Sequence, residues 1–464
     1  MVTNDGELEP VWTYDQAIAA LNRHVNLERV PGSERSAPKL ERMARLVSRL
    51  GDPQRRLRAV HVTGTNGKTS TALITSRLLA ADGLRVGLYT SPHLERINER
   101  MRIGDDPIGD DRLALNLQRA IEASAELPST DQPNYFELLT AAAFSWFADE
   151  QVDAAVVEVG VLGRWDATNV LDAPVAVVTT VGADHLEYAG SLENVAREKA
   201  GIVKPGSTLV LGETSSLATL FEDTPAARVW RRPSDFACDA WEATTTGAVA
   251  TLRTPEGCYR DVTLRLHGRH QADNAATALA AVEAFLGHPL PEEQVASGLA
   301  SATTPGRMEV LGDQPPIVVD MAHNPQAAGA LVRALAGAAP GWVLLYGALF
   351  GHDWQATLGE LLAVDLRAVV VCRPDSPRAV PPEEIASFLS GRGVRALVVE
   401  DVAEAAGRAA ELATNGTGLV VTGSTYHLAA ARSAILRRRA IGEERTNGEE
   451  RAISARKGPR RARN

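Results

Sequence analysis

The sequence predicts an α/β protein: a P-loop-containing, doubly wound parallel sheet domain with a small antiparallel section, followed by a smaller Rossmann-like α/β domain. Short apolar runs, typical of strands buried on both faces, alternate with helix-forming stretches. A glycine-rich loop follows the first of these strands and leads directly into a helix. The 464 residues also exceed what one compact core usually holds, which favours two domains.

The first domain is expected over residues 1–302. Two amphipathic helices near residues 14–23 and 38–50 precede the strand at 59–63 and the helix at 71–81. The alternating series then continues with strands at 86–89, 154–159 and 175–181 and with helices at 136–147 and 192–203. From about 208 to 266, short runs broken by turn residues predict the antiparallel section, and a helix near 274–285 closes the domain.

Residues 303–307 are the predicted hinge, because Pro305 and Gly306 interrupt the patterns on both sides. The second domain is expected over 308–437, with strands at 317–320, 342–346, 368–372, 396–399 and 418–422 and helices at 326–335 and 402–413. Residues 438–464 are rich in Arg and poor in apolar residues, which predicts a basic disordered tail. Such a tail could simply be solvated, or it could contact nucleic acid or acidic lipid.

The composition excludes several classes of protein. A net charge of −10 argues against nucleic-acid binding through the folded body. No run of eighteen or more apolar residues predicts a membrane span, and the acidic, polar N-terminus is unlike a signal peptide, so we expect a cytoplasmic protein. Three cysteines without a CxxC pair predict neither a disulfide framework nor a zinc cluster.

The glycine-rich loop has the composition of a shortened phosphate-binding motif. Its glycines would let backbone N–H groups approach phosphate oxygens, and the following helix would present its positive end. Lys68 would neutralise the phosphate charge, and the hydroxyls of Thr69 and Ser70 would contact phosphate or Mg²⁺. A strand-to-helix turn that needs glycine only for its dihedral angles is the alternative. The loop consists of Gly64, Thr65, Asn66, Gly67, Lys68, Thr69 and Ser70.

Acidic and histidine side chains follow two other predicted strands. Glu158 ends the apolar run 154–157, and Asp184 with His185 follows the run 177–181. Ligands collect at the carboxyl ends of strands in open α/β sheets, and hard cations prefer carboxylate oxygens. Each group alone also fits a cap or a surface residue, but together they indicate a metal site.

A series of motifs closely resembles the folylpolyglutamate synthase and dihydrofolate synthase family of the Mur ligase superfamily. The resemblance covers residues 14–437. The motifs are His61-Val62-Thr63-Gly64-Thr65-Asn66-Gly67-Lys68, Thr90-Ser91-Pro92-His93-Leu94, Phe136-Glu137, Glu158-Val159-Gly160, Gly163-Arg164-Trp165-Asp166-Ala167-Thr168-Asn169, Asp184-His185, Arg197-Glu198-Lys199-Ala200-Gly201, Gly268-Arg269-His270-Gln271 with Asn274, Pro305-Gly306-Arg307, Asp320 with Ala322-His323-Asn324-Pro325, and Thr422-Gly423-Ser424.

The resemblance implies an ATP-dependent ligase that joins L-glutamate to dihydropteroate or to folylglutamates. ATP would phosphorylate the acid, and the amine of glutamate would attack the acyl phosphate. The implied site needs ATP and two Mg²⁺ ions and, as in the family, would belong to a monomer with small-molecule substrates and no membrane partner.

The resemblance also assigns residues to roles. Lys68, Lys199 and His323 are implied as catalytic, and Asn274, Arg307 and Asp320 join the phosphate loop in binding ATP. Ser91, Glu158, His185 and a carbamylated Lys199 would bind the metal ions. The substrate would contact Pro92, His93, Phe136, Glu137, Trp165, Asp166, Ala167 and Ser424. By residue pattern alone, Lys199 reads as an exposed helix lysine, and Phe136 fits an ordinary core equally well.

Four departures from the family pattern bear on the substrate. They are Thr69 in place of Gly, Leu162-Gly163 in place of Gly-Gly, Met321 in place of Gly, and His352 near the position of an expected lysine. None removes an implied metal ligand. Two alternatives therefore stay open: a related ligase that joins an amino acid to a different carboxylic acid, and a catalytically inactive nucleotide-binding regulator.

Overall fold

The computed structural model describes residues 11–30, 40–183, 186–414 and 416–456, with side chains up to residue 440 apart from Glu187 and Asp313. The predicted fold class is confirmed: two parallel-type sheets flanked by helices follow one another along the chain, with a small antiparallel sheet between them. The limits that we assigned to the domains and the hinge remain predictions.

The first sheet has eight strands in the order β4-β3-β2-β5-β1-β6-β7-β8. Six of them are parallel, and β3 and β4 form an antiparallel edge. The strands are β1 Ala59–Thr63, β2 Val86–Tyr89, β3 Met101–Ile103, β4 Asp106–Pro107, β5 Ala154–Glu158, β6 Val175–Val178, β7 Thr208–Leu211 and β8 Arg228–Arg231. The helices of this part are α1 Tyr14–Leu21, α2 Leu40–Arg49, α3 Lys68–Ala81, α4 Asp110–Ala125, α5 Tyr135–Asp149, α6 Leu186–Ala189 and α7 Leu192–Ala200.

The central strand β1 explains why these runs are apolar throughout. All five of its residues are buried. Val60 and Val62 belong to the core formed with α3, whereas Ala59 belongs to the core on the opposite face, formed with α4 and α5. A strand covered on both faces keeps no polar face, so the run does not alternate.

The antiparallel section begins later than residue 208, which corrects that prediction. Strands β7 and β8 extend the main sheet in parallel. Leu209, Val210 and Leu211 are all buried, and they face two different cores, which only a sheet covered on both sides provides. The antiparallel sheet consists of β9 Ala237–Thr244, β10 Gly247–Arg253 and β11 Cys258–Leu264, and α8 Arg269–Leu286 and α9 Glu292–Ser301 follow it.

The second domain has a six-stranded sheet in the order β12-β13-β17-β14-β15-β16. Strand β12 is an antiparallel edge strand that the sequence did not predict, and the other five lie where we expected them. The strands are β12 Glu309–Asp313, β13 Pro316–Val319, β14 Trp342–Tyr346, β15 Leu366–Val371, β16 Ala396–Val398 and β17 Gly418–Thr422. The helices are α10 Pro325–Leu335, α11 Trp354–Leu361, α12 Pro382–Ser390, α13 Val402–Leu412 and α14 Thr425–Arg456.

Helix α14 differs from the expected disordered tail. Its backbone stays helical through residues 438–456, and residues 457–464 lie outside the described residues. The segment contains many Arg, Ala and Glu residues, which have high helix propensity even when they bury no apolar surface. Among the helices of the described residues, none is both long and apolar enough to cross a bilayer.

Two completely buried histidines should make stability depend on pH. Burial lowers the pKa of His61 to about 3 and that of His427 to about 4. Below pH 6.5 the unfolded chain therefore binds more protons than the native protein, so stability is complete above that pH and falls as the solution is acidified. Two such groups reduce the free energy of unfolding by up to about 2.7 kcal/mol per pH unit.

We expect His427→Leu to reduce the pH dependence of the free energy of unfolding by about 1.4 kcal/mol per pH unit, because the variant lacks one of the two protons that are taken up on unfolding. Urea unfolding between pH 7.5 and 5 measures it, with His288→Gln, a change at an exposed histidine, as the control. Equal slopes in His427→Leu and the control would contradict the prediction.

Candidate active site

A cavity of about 230 Å³ lies where the carboxyl ends of the first sheet face the second domain. The loops after β1, β2 and β5 line one side, and the loops after β13, β14 and β17 line the other. Its residues are Leu27, Glu28, Thr65, Asn66, Gly67, Lys68, Thr69, Ser91, Pro92, Asn134, Phe136, Glu137, Glu158, Gly160, Val161, Trp165, Asp166, Ala167, Tyr188, Arg307, His323, Leu349, His352, Arg378, Gly423, Ser424, Thr425 and Tyr426.

The glycine-rich loop forms a compact turn between β1 and α3. Its backbone is tied to the end of β6: the Thr65 N–H donates to the Thr180 carbonyl at 2.7 Å, and the Thr179 hydroxyl donates to the Asn66 carbonyl at 2.6 Å. Gly64 approaches Thr179 so closely that a Cβ atom at Gly64 would overlap its hydroxyl. Glycine is therefore required here by contact with a neighbouring strand.

Helix α3 begins at Lys68, directly after Gly67, which has a left-handed backbone with φ of 85°. The first backbone N–H groups of a helix have no partner within the helix and carry partial positive charge. The ammonium group of Lys68 donates to the carbonyls of Gly64 and Thr65 at 2.9 and 3.1 Å. The loop thus places a helix N-terminus and a lysine at the cavity wall, a combination suited to an anion.

The Glu158 carboxylate gathers groups from three segments. It is buried at the end of β5; its Oε1 accepts from the Thr69 hydroxyl at 2.9 Å and its Oε2 from the Ser91 N–H at 3.1 Å. Burial raises the pKa of Glu158, and the positive charges of Lys68 and Arg307 oppose that rise.

Arg307 reaches from the predicted hinge to the phosphate loop. Its Nη2 donates to the Thr69 hydroxyl at 3.3 Å, and its buried Nε has no hydrogen-bond partner among the residues that the structure describes. Asp320, at the end of β13, lies outside the cavity lining and accepts the backbone N–H groups of Met308 and Ala322, both at 2.8 Å. Asp320 therefore ties the residue after Arg307 to the second sheet.

The second domain contributes two histidine rings and a serine. The rings of His323 and His352 meet edge to face, with centroids 5.0 Å apart, and both line the cavity. The Nδ1 of His323 lies 2.8 Å from the Met321 carbonyl, so Nδ1 carries the proton of that bond. Ser424 is buried at the end of β17, where its hydroxyl accepts from the Tyr426 N–H at 3.2 Å.

A less polar wall of the cavity lies on the first domain. Phe136 packs against Tyr89, with ring centroids 6.0 Å apart, whereas Trp165 is 46% exposed. Asp166 also lines the cavity and is buried, and burial raises its pKa. The aromatic residues can pack against a flat ring, and the carboxylate can accept hydrogen bonds from it.

Comparison with known proteins identifies the family of this site. Residues 62–282 match the Mur ligase middle domain, and residues 306–425 match the Mur ligase glutamate ligase domain. The dihydrofolate synthase/folylpolyglutamate synthase of Mycobacterium tuberculosis is 37% identical over 438 residues, covering 85% of this chain and 90% of that protein. This chain belongs to the dihydrofolate synthase/folylpolyglutamate synthase family of Mur ligases.

Solved structures of the family share the fold over almost the whole chain. Folylpolyglutamate synthase of M. tuberculosis complexed with ADP and AMPPCP has a TM-score of 0.83 and 36% identity, covering 90% of this chain and 99% of its own. Escherichia coli FolC in complex with DHPP and ADP has a TM-score of 0.81 and 29% identity, covering 93% and 100%. The Yersinia pestis enzyme complexed with AMPPNP and Mn has a TM-score of 0.80 and 29% identity, covering 92% and 100%.

Most of the residues assigned through the family resemblance meet in the cavity. Sixteen of the lining residues listed above were predicted, from Thr65 on the phosphate loop to Ser424 on the second domain. Gly64, Ser70, His93, Asn274 and Asp320 lie outside the lining. His93 accepts from Arg100 Nε at 2.9 Å, and Asn274 packs beside Gly67. His185 lies outside the described residues.

Lys199 corrects the interpretation based on residue pattern alone, which made it an exposed helix lysine. Its residue is only 2% exposed, and it lies on α7 outside the cavity lining. The neighbouring Gly163 approaches its Cα so closely that a Cβ there would lie 3.1 Å away. Lys199 is covered by a segment about 36 residues earlier in the chain, a contact that helical periodicity within α7 could not reveal.

The sequence analysis missed several cavity residues. Glu28 follows α1, and its carbonyl accepts from Arg378 at 3.1 Å and from Tyr426 at 3.2 Å, which join it to the second domain. The Glu28 carboxylate pairs with the buried Arg100 at 2.7 Å. These partners lie up to 398 residues apart, so no local pattern could indicate them. Asn134 had a signal, because it forms a capping box with Glu137 at the start of α5.

The donor set around Glu158 fits a hard divalent cation. A carboxylate and the hydroxyls of Thr69 and Ser91 supply oxygen ligands, which Mg²⁺ and Mn²⁺ prefer, with phosphate and water completing the coordination. Among the described residues no cluster of three or more His, Cys, Asp or Glu side chains could hold a metal. A metal here would therefore depend on phosphate oxygens in addition to protein groups.

Gly67→Ala should weaken nucleotide binding about ten-fold or more. A Cβ at Gly67 would lie 2.5 Å from Asn274 Oδ1, so the loop or Asn274 must move. Gly83→Ala is the matched control, because Gly83 has a similar φ of 92° and open space around it. Both variants should lose about 1 kcal/mol of stability from the left-handed backbone. Calorimetric titration with ADP checks the prediction, and equal affinities in the two variants would contradict it.

Arg42→Ala should destabilise the fold by about 3 kcal/mol, because it leaves the buried Glu137 carboxylate without its cation. Arg42 lies 2.8 Å from Glu137, with side chains 12% and 4% exposed. Arg49→Ala, on the same helix, breaks an ion pair whose side chains are 53% and 62% exposed and should cost less than about 0.5 kcal/mol. Urea unfolding compares the variants, and similar losses would show that the Arg42 pair is effectively solvated.

Proposed function

We propose that the cavity joins L-glutamate to the carboxyl group of dihydropteroate or a folylglutamate, through an acyl phosphate made from ATP. The family consists of ATP-dependent ligases, and this chain spans 90% of the length of its M. tuberculosis relative. The observation that carries the proposal is the meeting of Lys68, Glu158 and Arg307 with His323 and Ser424 of the second domain in one cavity.

Forming an acyl phosphate from ATP explains why the cavity needs positive groups such as Lys68 and Arg307. A carboxylate is a poor electrophile, so an oxygen of the acid first takes the γ-phosphoryl group of ATP and releases ADP. The glutamate nitrogen then attacks the carbonyl carbon of the acyl phosphate. The tetrahedral intermediate collapses as the C–O bond to phosphate breaks and the amine loses its proton. Charge spread over phosphoryl oxygens is stabilised by positive groups fixed in advance.

We assign the phosphate end of the site to the loop between β1 and α3. Backbone N–H groups at the start of α3 and the Lys68 ammonium would contact the β- and γ-phosphates. Arg307 would add a second positive group, and its Nε, which lacks a partner among the described residues, supports this role. Arg307 comes from the predicted hinge and already contacts the loop through Thr69, so it would meet the phosphates without further movement.

Glu158, Thr69 and Ser91 would hold a divalent cation, which we propose to be Mg²⁺. A bound divalent cation neutralises phosphate charge and fixes the direction of phosphoryl transfer. His185 and Lys199 would hold a second. Lys199 is buried on α7, and its carbamate would be a carboxylate-like ligand for that cation. Asn274 and Asp320 would contact the nucleoside.

The acid would lie along the first-domain wall and glutamate against the second domain. Phe136 and Trp165 would pack against the pterin ring, with Asp166 accepting its N–H groups. Pro92, Ala167 and Glu137 complete this side. His323 and Ser424 would contact glutamate, with His352 near the position where the family pattern has lysine. We expect the protein to act as a monomer.

An assay with purified protein, Mg-ATP, L-glutamate and either dihydropteroate or tetrahydrofolate tests this function. We expect ADP release and a product heavier by one glutamate residue, measured by mass spectrometry. Lys199→Ala should nearly abolish turnover, and short added carboxylates should restore part of it, whereas Glu193→Ala, at an exposed position of α7, should leave it unchanged.

The outcomes separate the alternatives. If only another carboxylic acid is turned over, the folate substrate is wrong, but the ligase mechanism still holds. Absence of ATP-coupled product with any acid would favour the inactive regulator. Wild-type activity in Lys199→Ala would contradict the carbamate role alone.

A further inference from the structure

A chain of three polar side chains runs from the interior of the first sheet to the cavity. His61 lies in the middle of β1 with no exposed surface, and its Nε2 is 2.8 Å from Thr168 Oγ1. Thr168 Oγ1 in turn lies 2.5 Å from Asp166 Oδ1. Burying a polar ring between sheet and helices costs free energy unless it makes a useful hydrogen bond. An apolar residue at this position would avoid that free-energy cost, so the His61 ring needs an explanation in the hydrogen bond that it makes.

The direction of each hydrogen bond follows from the number of protons available. Asp166 also accepts the backbone N–H groups of Thr168 on Oδ1 and of Val161 on Oδ2, at 3.0 and 2.9 Å, so both of its oxygens already act as acceptors. The single hydroxyl proton of Thr168 therefore points to Asp166. The Thr168 oxygen is left as an acceptor, so His61 Nε2 must carry the proton between them.

This count makes His61 a neutral imidazole protonated at Nε2. Its Nδ1 has no hydrogen-bond partner within the described part of the chain, as expected for a nitrogen without a proton in an apolar environment. Burial, followed by the nearby charge of Lys204, lowers the pKa of His61 to about 3. The ring therefore stays neutral and donates the same hydrogen bond at every pH well above 3.

We propose that His61 is a positioning residue that orients the Asp166 carboxylate for the acid substrate, acting through the Thr168 hydroxyl. A threonine hydroxyl can rotate, and the proton donated by His61 leaves it one favourable orientation, toward Asp166. His61 does not line the cavity, so it acts only through this chain. The proposal rests on the proposed function in one respect, the contact of Asp166 with the acid.

Three variants test the role in catalysis. His61→Leu removes the donor at similar volume, His61→Gln keeps an N–H group near the position of Nε2, and Thr168→Val removes the hydroxyl. In His61→Leu and Thr168→Val the KM for the acid should rise about ten-fold, the effect of losing one hydrogen bond to a charged group. The KM values for ATP and glutamate should stay within about two-fold, and His61→Gln should restore the KM for the acid.

A double variant and a matched control complete the kinetic test. His61→Leu combined with Thr168→Val should be no worse than either alone, because both remove the same orienting contact. Thr75→Val removes another buried, hydrogen-bonded hydroxyl, on α3, and should leave the KM for the acid unchanged. An unchanged KM in His61→Leu, a parallel rise of all three KM values, or failure of His61→Gln to restore the KM for the acid would overturn the proposal.

Nuclear magnetic resonance gives a readout that does not depend on turnover. The imidazole ¹⁵N signals missing from His61→Gln should show the Nε2–H tautomer, unchanged from pH 5.5 to 8.5. The ¹³C signal of the Asp166 carboxyl, assigned with Asp166→Asn, should shift in His61→Leu and return in His61→Gln. An Nδ1–H tautomer or an unmoved carboxyl signal would refute the inference, whereas a wild-type protein that glutamylates neither acid would refute only the proposed function.

Discussion

The arrangement of the cavity depends on one buried charge, the carboxylate of Glu158. A carboxylate removed from water must be met by donors and positive charge, or its burial is prohibitively expensive. Its donors are the Thr69 hydroxyl at the start of α3 and the Ser91 N–H after β2, with the charges of Lys68 and Arg307 nearby. The phosphate loop, the loop after β2 and the predicted hinge are therefore positioned by the same group.

Several polar contacts join the two domains. Asn66 on the phosphate loop exchanges amide hydrogen bonds with Asn324 and donates to Gln326 at 2.8 Å, both at the start of α10. On another side, Glu28 joins Arg378 and Tyr426. Polar contacts of this kind can be exchanged for water at little cost, unlike a shared apolar core. Such an interface suits a site that must open to admit three substrates and close to exclude water.

Local sequence predicted the elements whose environment is uniform. Strand β14 was expected at its observed limits, and β17 likewise, because each is apolar along its whole length and both faces are covered. The phosphate loop was predicted because its glycines meet a constraint on the backbone, which a short motif records. Strands β7 and β8 were assigned to the wrong sheet, because a short strand has the same composition in a parallel edge as in a hairpin. Pairing depends on contacts between distant segments, which composition does not encode.

The sequence by itself determined the fold class, the glycine-rich turn between β1 and α3, and the membership of the ligase family, because each rests on residue types in a fixed order along the chain. Only the tertiary structure decided that Lys199 is buried, that Glu28 joins the two domains, and that His61 contacts Thr168, which in turn contacts Asp166. Burial and hydrogen bonding depend on which segments meet in space. His61 and Thr168 are 107 residues apart, and the segment that joins them passes through four other strands, β2 to β5, before the two residues meet.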